Sequence, residues 1–507
     1  MYTQPARRWW ALGSLLIAVL TVGFDITIMN VALPTIATEL AAGTAELQWM
    51  VNAYVLVLAG LMLTCGALGD RYGRKRLLLA GLMLFAVSSA AAAWADTAAM
   101  VIAARAVMGV GAAIILPVVF AVLPVLFAPS ERGRAVSLTV MGVGIGIPLG
   151  PILGGWLLDH FWWGSIFLIN VPMAVIAALA IAVLLPESRD PRPRRPDLLG
   201  AMLSTTGLLG VVYGLIEAPS RGWRDPLVLA TLLGGAVVFA GFLLWERHTR
   251  DPMIELRLFR QRQFLGGSIA GALVTFGMLG LLFVIPQYLQ LVGGHDALGT
   301  GLRLLPLIAG LVVGAPIGER VAAAVGYRVP VTAGLVIIAA ALAVGASTDA
   351  GSGYGFVAAW LTGAGFGIGV ALSPAMDAVL ADLPTEHAGS GTAITMTLRQ
   401  VGGVFGVAVL GSVLAQGYSE GLGTTGLPEP AAGTARDSLA GALALAQQLG
   451  RPALADTARA AYLHGMTLVL LTTAAVAALS AVLAAAIIGR RTAAAPEQPQ
   501  RGRSPTG

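Results

Sequence analysis

The sequence predicts an all-α membrane protein of fourteen transmembrane helices, arranged as two six-helix bundles with two helices inserted between them. Three observations carry this. Hydrophobic residues make up 57% of the 507 and charged residues 11%, whereas a soluble domain carries roughly a quarter charged residues. Apolar runs of about 20 residues, the span of a ~30 Å hydrocarbon layer, recur along the chain. With the N-terminus in the cytoplasm, only Arg221, Arg224, Arg303, Arg436, Arg451 and Arg459 of the 31 Lys and Arg residues fall on the outer side. That is the bias a correct helix count produces, because one misplaced helix would flip every later loop.

The first six helices are expected over 10–33, 48–68, 77–95, 99–123, 135–158 and 164–185. Arg7 and Arg8 precede the first apolar run, which continues to Leu33 without a small-x-small cleavage site, so it reads as an uncleaved helix. The second series is expected over 198–216, 227–245, 264–289, 301–317, 331–348, 354–380, 389–415 and 464–488. An internal repeat groups them: Gly69-Asp70-Arg71 after helix two resembles Gly318-Glu319-Arg320 after helix ten, and Ala80-Gly81-Leu82 resembles Ala333-Gly334-Leu335. Helices one to six and nine to fourteen are then duplicated bundles, and helices seven and eight an insertion. The expected organisation is an N-terminal bundle over 1–189, a linker with the inserted helices over 190–250, a C-terminal bundle over 251–490 and a disordered cytoplasmic tail over 491–507. The prolines and arginines of 186–196 (Arg189, Arg192, Arg194, Arg195) suit a stiff linker, and 416–463 is the one long outer loop. Two halves related by an axis along the membrane normal allow a central site to be exposed alternately to either side.

Several function classes are excluded. The net charge of +5 marks where arginines end helices and does not imply nucleic acid. Cys65 is the single cysteine, so there is no disulfide framework. The five histidines (His160, His248, His295, His387, His464) sit in loops or at helix ends without metal-ligand spacing, and no paired acids or nucleophile–base arrangement suggests an enzyme. No Gly-x-x-x-x-Gly-Lys-Ser/Thr loop exists, the sole lysine being Lys75, so ATP does not drive this protein. Neither a cofactor nor a metal is expected.

The residues that carry chemistry lie between and within the helices. The segment Gly66 to Arg76 packs Gly66, Gly69 and Gly73 with Asp70, Arg71, Arg74, Lys75 and Arg76 into a short loop. Small residues suit a tight turn, Asp70 can accept from arginines or a helix N-terminus, and the cations anchor to anionic lipid. Gly142, Gly146, Gly150 and Gly154 recur every four residues on one face of helix five, with Gly144, Pro148, Pro151 and Gly155 beside them. A facing helix can approach closely there, which serves either plain packing or coupling.

Asp25 lies inside helix one, where an acid costs roughly 2.5 to 3.5 kcal/mol on insertion scales and faces a cavity or a partner. It is a candidate proton site. Rise per residue places Asp25 and Arg105 at similar depth, so the two form either a structural ion pair or a charge switch. Arg399 and Gln400 lie ~15 Å into helix thirteen, where substrate contact, helix pairing and solvation by a cavity are equally open readings. Phe24, Asn30 and Tyr54 are candidates to line an amphiphile pocket, along with Trp49, Tyr288, Trp360 and Phe405; packing is the alternative.

These motifs together resemble the major facilitator superfamily, in particular its fourteen-helix drug:proton antiporters of the Qac/Emr type. Asp25-Ile26-Thr27-Ile28-Met29-Asn30-Val31-Ala32-Leu33-Pro34 resembles the first-helix motif of that branch, and Gly66 to Arg76 the superfamily's loop between helices two and three. Arg105-Ala106-Val107-Met108-Gly109-Val110-Gly111 resembles the helix-four motif, and Gly142 to Gly155 the antiporter motif. Phe161 to Pro172 is similar to the quaternary-ammonium and quinolone exporters.

The resemblance implies multidrug efflux by proton antiport, with Asp25 and Arg105 in proton coupling, Asp70 and its arginines in gating, and the helix-five glycines disfavouring import. It implies a multi-pass monomer in the plasma membrane with both termini cytoplasmic, taking small amphiphilic substrates and protons. An exporter of an endogenous metabolite would use the same machinery. Met108 departs from the usual helix-four glutamine, and Met396, Gln400 and Leu311 stand where relatives place acids. A single deep acid therefore points to monocationic or zwitterionic cargo.

Overall fold

The computed structural model describes residues 5–190, 196–249, 252–381, 388–423, 427 and 429–489. Arg192, Arg194, Arg195, His387 and the tail at 491–507 lie outside the described residues. Helices account for every expected span: α1 (Pro5–Glu39), α2 (Thr44–Tyr72), α3 (Arg74–Ala93), α4 (Ala98–Leu126), α5 (Pro129–His160) and α6 (Ser165–Leu184). They are followed by α7 (Leu198–Arg221), α8 (Pro226–His248), α9 (Arg262–Val292), α10 (Ala297–Val325), α11 (Arg328–Gly345), α12 (Tyr354–Ala381), α13 (Ala388–Gly421) and α14 (Pro452–Ile487). Thirteen helices among the described residues are long and apolar enough to cross a membrane. The remaining expected span is α5, 32 residues long.

Three boundaries differ from the sequence reading. The Gly66–Arg76 segment is not a loop: α2 continues through Tyr72 and α3 begins at Arg74, leaving Gly73 as the whole connection. Its φ of 115° is open to glycine and strained for any other residue. The outer segment 416–463 is largely helical, with α13 running to Gly421, short helices at Glu429–Asp437 and Leu439–Gln448, and α14 starting at Pro452. His464 therefore stands within α14, exposed, and not at a helix end.

Pairing repeats between the two halves. In the first six helices α1 packs on α5, α2 on α4, and α3 on α4 and α6; in the last six α9 packs on α13, α10 on α12, and α11 on α12 and α14. The matched Ala-Gly-Leu segments occupy matched positions. A Cβ on Gly111 of α4 would stand 2.9 Å from the Gly81 carbonyl, and one on Gly367 of α12 would stand 2.7 Å from the Gly334 carbonyl. Backbone contact at these crossings is how glycine substitutes for a hydrophobic driving force that lipid does not supply. Helices α7 and α8 pack mainly on each other, and α7 also lies against α2 and α13.

Candidate functional site

The centre of the first six helices holds a buried charge pair. Asp25 of α1 and Arg105 of α4 are both fully buried, and Arg105 Nη1 donates to Asp25 Oδ2. Arg105 Nε donates to the Met50 carbonyl of α2 at 3.0 Å, and its guanidinium lies 4.4 Å from the Tyr54 ring centroid, a cation–π contact. Asp25 Oδ1 accepts from Asn170 Nδ2 of α6 at 2.9 Å. Asn170 also donates to Ser89 Oγ of α3 at 3.2 Å, and Ser89 in turn donates to the Phe167 carbonyl at 2.8 Å.

One carboxylate and one guanidinium thus tie together α1, α2, α3, α4 and α6. Two charges leave water at an affordable cost only when each finds its opposite and further hydrogen bonds. Arg105 Nη2, the Tyr54 hydroxyl and Asn170 Oδ1 nevertheless have no partner among the described residues. The sequence reading anticipated the Asp25–Arg105 contact and missed Asn170 and Ser89. The signal for Asn170 was present: it opens the second segment of α6, after a break at Ile169.

The glycine face of α5 explains how α1 is held. A Cβ on Gly142 would stand 3.2 Å from Leu16 Cδ2, on Gly146 2.7 Å from the Phe24 nitrogen, on Gly150 2.9 Å from the Ile28 nitrogen, and on Gly154 2.6 Å from Ile28 Cγ1. The ladder lies along the stretch of α1 that carries Asp25, with Gly146 and Gly150 set backbone against backbone. Gly155 and Pro151 point elsewhere. A Cβ on Gly155 would stand 2.5 Å from the Ala297 carbonyl and 2.6 Å from Leu298 Cα, and Gly301 abuts the Pro151 carbonyl, so this end of α5 meets the start of α10. The surroundings of Gly144 and of the Pro148 side chain are not among those described.

That meeting is part of a closure. The hydrogen bonds described between residues 5–190 and 262–489 all lie toward the expected outer side. Gln48 Nε2 donates to the Val407 and Ala408 carbonyls, each at 3.0 Å, and Gln290 Nε2 to the Val31 carbonyl at 2.8 Å. The Leu298 amide donates to Asp159 Oδ2 at 3.2 Å, and Thr44 Oγ1 to the Asp437 carbonyl at 2.8 Å. Burial pushes the Asp437 carboxyl above the ordinary carboxylate range. The two halves are therefore joined mainly outside; on the expected inner side the described hydrogen bond between residues 1–189 and 251–490 is Thr64 Oγ1 donating to Met253 Sδ at 3.8 Å, a weak acceptor.

The Gly66–Arg76 segment sits at that inner end. Gly66 and Gly69 press on Pro117 and Val118 of α4. Arg74 Nε and Nη2 donate to Asp70 Oδ1 at 2.9 and 2.7 Å, while exposed Arg71 lies over the Tyr72 ring. Glu187, from the strand of chain after α6, caps α3: its carboxylate accepts from the Lys75 and Arg76 amides at 3.1 and 3.3 Å. The Arg74 amide donates to the Ser188 carbonyl and the Asp190 amide to the Asp70 carbonyl, so the start of the linker is docked on this motif.

The pocket candidates separate. Phe24 is buried against α5, Asn30 is buried with its Nδ2 on the Ile26 carbonyl, and Tyr54 is buried under Arg105; none offers surface to a ligand in this conformation. Tyr288 and Trp360 are likewise buried. Arg399 and Gln400 are half-buried. Among the described residues no group of three His, Cys, Asp or Glu side chains could hold a metal ion.

Residues 15–407 match the family model described as Major Facilitator Superfamily. The chain is similar to the tetracenomycin C resistance and export protein of Streptomyces glaucescens, 34% identical over 410 residues that cover 81% of this chain and 76% of that protein. It is also similar to the multidrug efflux pump LfrA of Mycolicibacterium smegmatis, 34% identical over 495 residues that cover 96% of each. In fold it resembles a bacterial homologue of the human lysosomal transporter Spinster, with a TM-score of 0.66 at 17% identity, covering 97% of this chain and 100% of that one.

Proposed function

The chain belongs to the Major Facilitator Superfamily, and on that premise we propose that it is a multidrug efflux transporter exporting small amphiphilic compounds by proton antiport. It is a multi-pass membrane transporter and not an enzyme. In this reading it works as a monomer in the plasma membrane with both termini cytoplasmic, and residues 1–189 and 251–490 are the two moving bundles.

The observation that carries the antiport reading is the Asp25–Arg105 node. A buried ion pair is not needed for stability, since apolar packing commonly serves as well. A carboxylate whose partner can be held without it suits a switch. When Asp25 takes a proton, Arg105 loses its charged acceptor but keeps the Met50 carbonyl and the Tyr54 ring, so α1 is released from α4 while α4 stays on α2. Because α5 lies on α1 through its glycines, and α1 and α5 meet α9 and α10 at Val31, Gly155 and Asp159, that release reaches the outer closure through rigid helices. The Asp70–Arg74 pair and the Glu187 cap hold the inner end of the α2–α3 hairpin.

Export of a metabolite made by the same cell is the second reading, favoured by similarity to a protein whose name couples resistance with export of one antibiotic. The test of antiport is uptake of rhodamine B, an amphiphile that carries both a cation and a carboxylate, into proteoliposomes under an imposed pH gradient. The wild type should accumulate dye only with the gradient, and Asp25→Asn should not respond to it; gradient-independent accumulation by the wild type rejects antiport.

A further inference from the structure

We propose that Arg399 recognises an acidic group on the exported compound, so that the cargo is an amphiphile bearing a carboxylate or a comparable anion. This deepens the efflux reading and rests on it. Eleven residues separate Ala388, the first of α13, from Arg399, a depth of about 16 Å. A cation there is costly unless it is paired or faces water, and it marks a functional site by default.

Arg399 has no ion-pair partner among the described residues. Its Nε donates to Thr275 Oγ1 of α9 at 3.3 Å, and its Nη1 points at Met376 Sδ of α12 at 3.9 Å, a weak acceptor. The methylene stem lies 3.5 to 3.6 Å from the position a Cβ would take on Gly271. None of the ion pairs described involves Arg399. The acids on the surrounding helices do not reach it. α9 has none, α13 has only Glu420 at its far end, and α12 has only Asp377, which is exposed. Glu319 of α10 is exposed and accepts from Ser373.

Arg399 is also partly exposed. It is half-buried, its Nη2 has no hydrogen-bond partner among the described residues, and that nitrogen is not among the buried unpartnered atoms. Met396 and Gln400 on the same helix, and Leu372 one turn before Met376 on α12, are half-buried too, which supplies apolar surface and one amide on the elements that hold the cation. By contrast the deep acid Asp25, on which a preference for cations would rest, is fully buried and engaged on both oxygens. The open deep charge is positive, and a planar guanidinium with free N–H groups suits a carboxylate.

Rhodamine B and its ethyl ester differ only in whether the carboxylate is free, and serve as probes. Equilibrium binding to purified protein and pH-gradient-driven uptake into proteoliposomes are measured for both. The wild type should bind the acid about tenfold or more tightly than the ester. Arg399→Gln should erase that preference by weakening the acid alone, with the ester's affinity as the control for folding, and Arg399→Lys should keep most of it. An acid-to-ester ratio at or below one in the wild type, or an unchanged ratio in Arg399→Gln, overturns the proposal; the first needs no variant. Binding preference without gradient-driven uptake would reject antiport and leave Arg399 in its role.

Discussion

Gly155→Ala should open the outer side of the protein. The new Cβ would stand 2.5 Å from the Ala297 carbonyl oxygen and 2.6 Å from Leu298 Cα, against an ordinary contact of 3.4–4 Å, so the start of α10 must retreat by roughly 0.8 Å. These are backbone atoms, which cannot rotate away. Overpacking of this kind costs ~1–3 kcal/mol. The gain in helix propensity from replacing glycine, about 1 kcal/mol, applies equally to open and closed states and cancels. Because the clash exists only when the halves meet outside, 1–3 kcal/mol shifts the equilibrium toward outer opening by roughly 5- to 150-fold. Val31 reports this, since it is buried and its carbonyl accepts from Gln290 in the closed state. In whole cells, with Cys65→Ala removing the native thiol and Val31→Cys added, a membrane-impermeant maleimide should label Gly155→Ala faster by that factor. Gly154→Ala is the control, because its Cβ would meet only Ile28 within the same six helices. Equal labelling of the two variants would refute the assignment of Gly155 to the closure.

Removing one member of the buried pair should cost about 3–5 kcal/mol, as in Asp25→Ala or Arg105→Ala, while the double replacement Asp25→Asn with Arg105→Gln should melt above either single alanine variant in a detergent thermal scan. Asn170→Ala withdraws the second donor to the Asp25 carboxylate and should cost ~1.5–3 kcal/mol in the same scan, with Ser89→Ala much milder because it loses only a neutral bond. Glu187→Gln should raise amide hydrogen exchange at Lys75 and Arg76, with an effect on global stability below about 1 kcal/mol because the carboxylate is partly solvated. Asp437 makes the outer segment sensitive to pH. Its folded carboxyl titrates above the ordinary value of about 3.9, so the docked form binds the proton more tightly. Docking is thus strongest in acid and weakens as pH rises from the ordinary value through the raised one. Exchange around Thr434–Gly441 should rise over that window, and Asp437→Asn should flatten the profile.

The helices were legible because hydropathy reports burial in lipid, and lipid leaves a backbone no alternative to helix. Their ends were not. Polar residues at Gly66–Arg76 and 452–463 look like loop to a hydropathy reading, yet α2 and α14 carry them as helix beyond the apolar run. Helix termini are set by residues such as Gly73, whose positive φ stops α2, and by Pro452 at the first turn of α14. The duplication was legible in short matched segments because the glycines in them, Gly81 and Gly334, do the same work in both halves.

Charge in the membrane was legible as inventory and not as pairing. Depth along two helices sufficed to join Asp25 to Arg105, since each had one plausible opposite at its level. The same inventory offered one deep acid and two deep cations, and it favoured a monocationic or zwitterionic cargo because the acid was counted as available. On the Arg399 proposal, pairing shifts the weight to an anion on the cargo. Once Arg105 and Asn170 occupy both oxygens of Asp25, the accessible deep charge is Arg399, whose neighbours are a hydroxyl, a thioether and glycine. A residue's charge tells a ligand nothing until the rest of the fold has decided whether that charge is already spoken for.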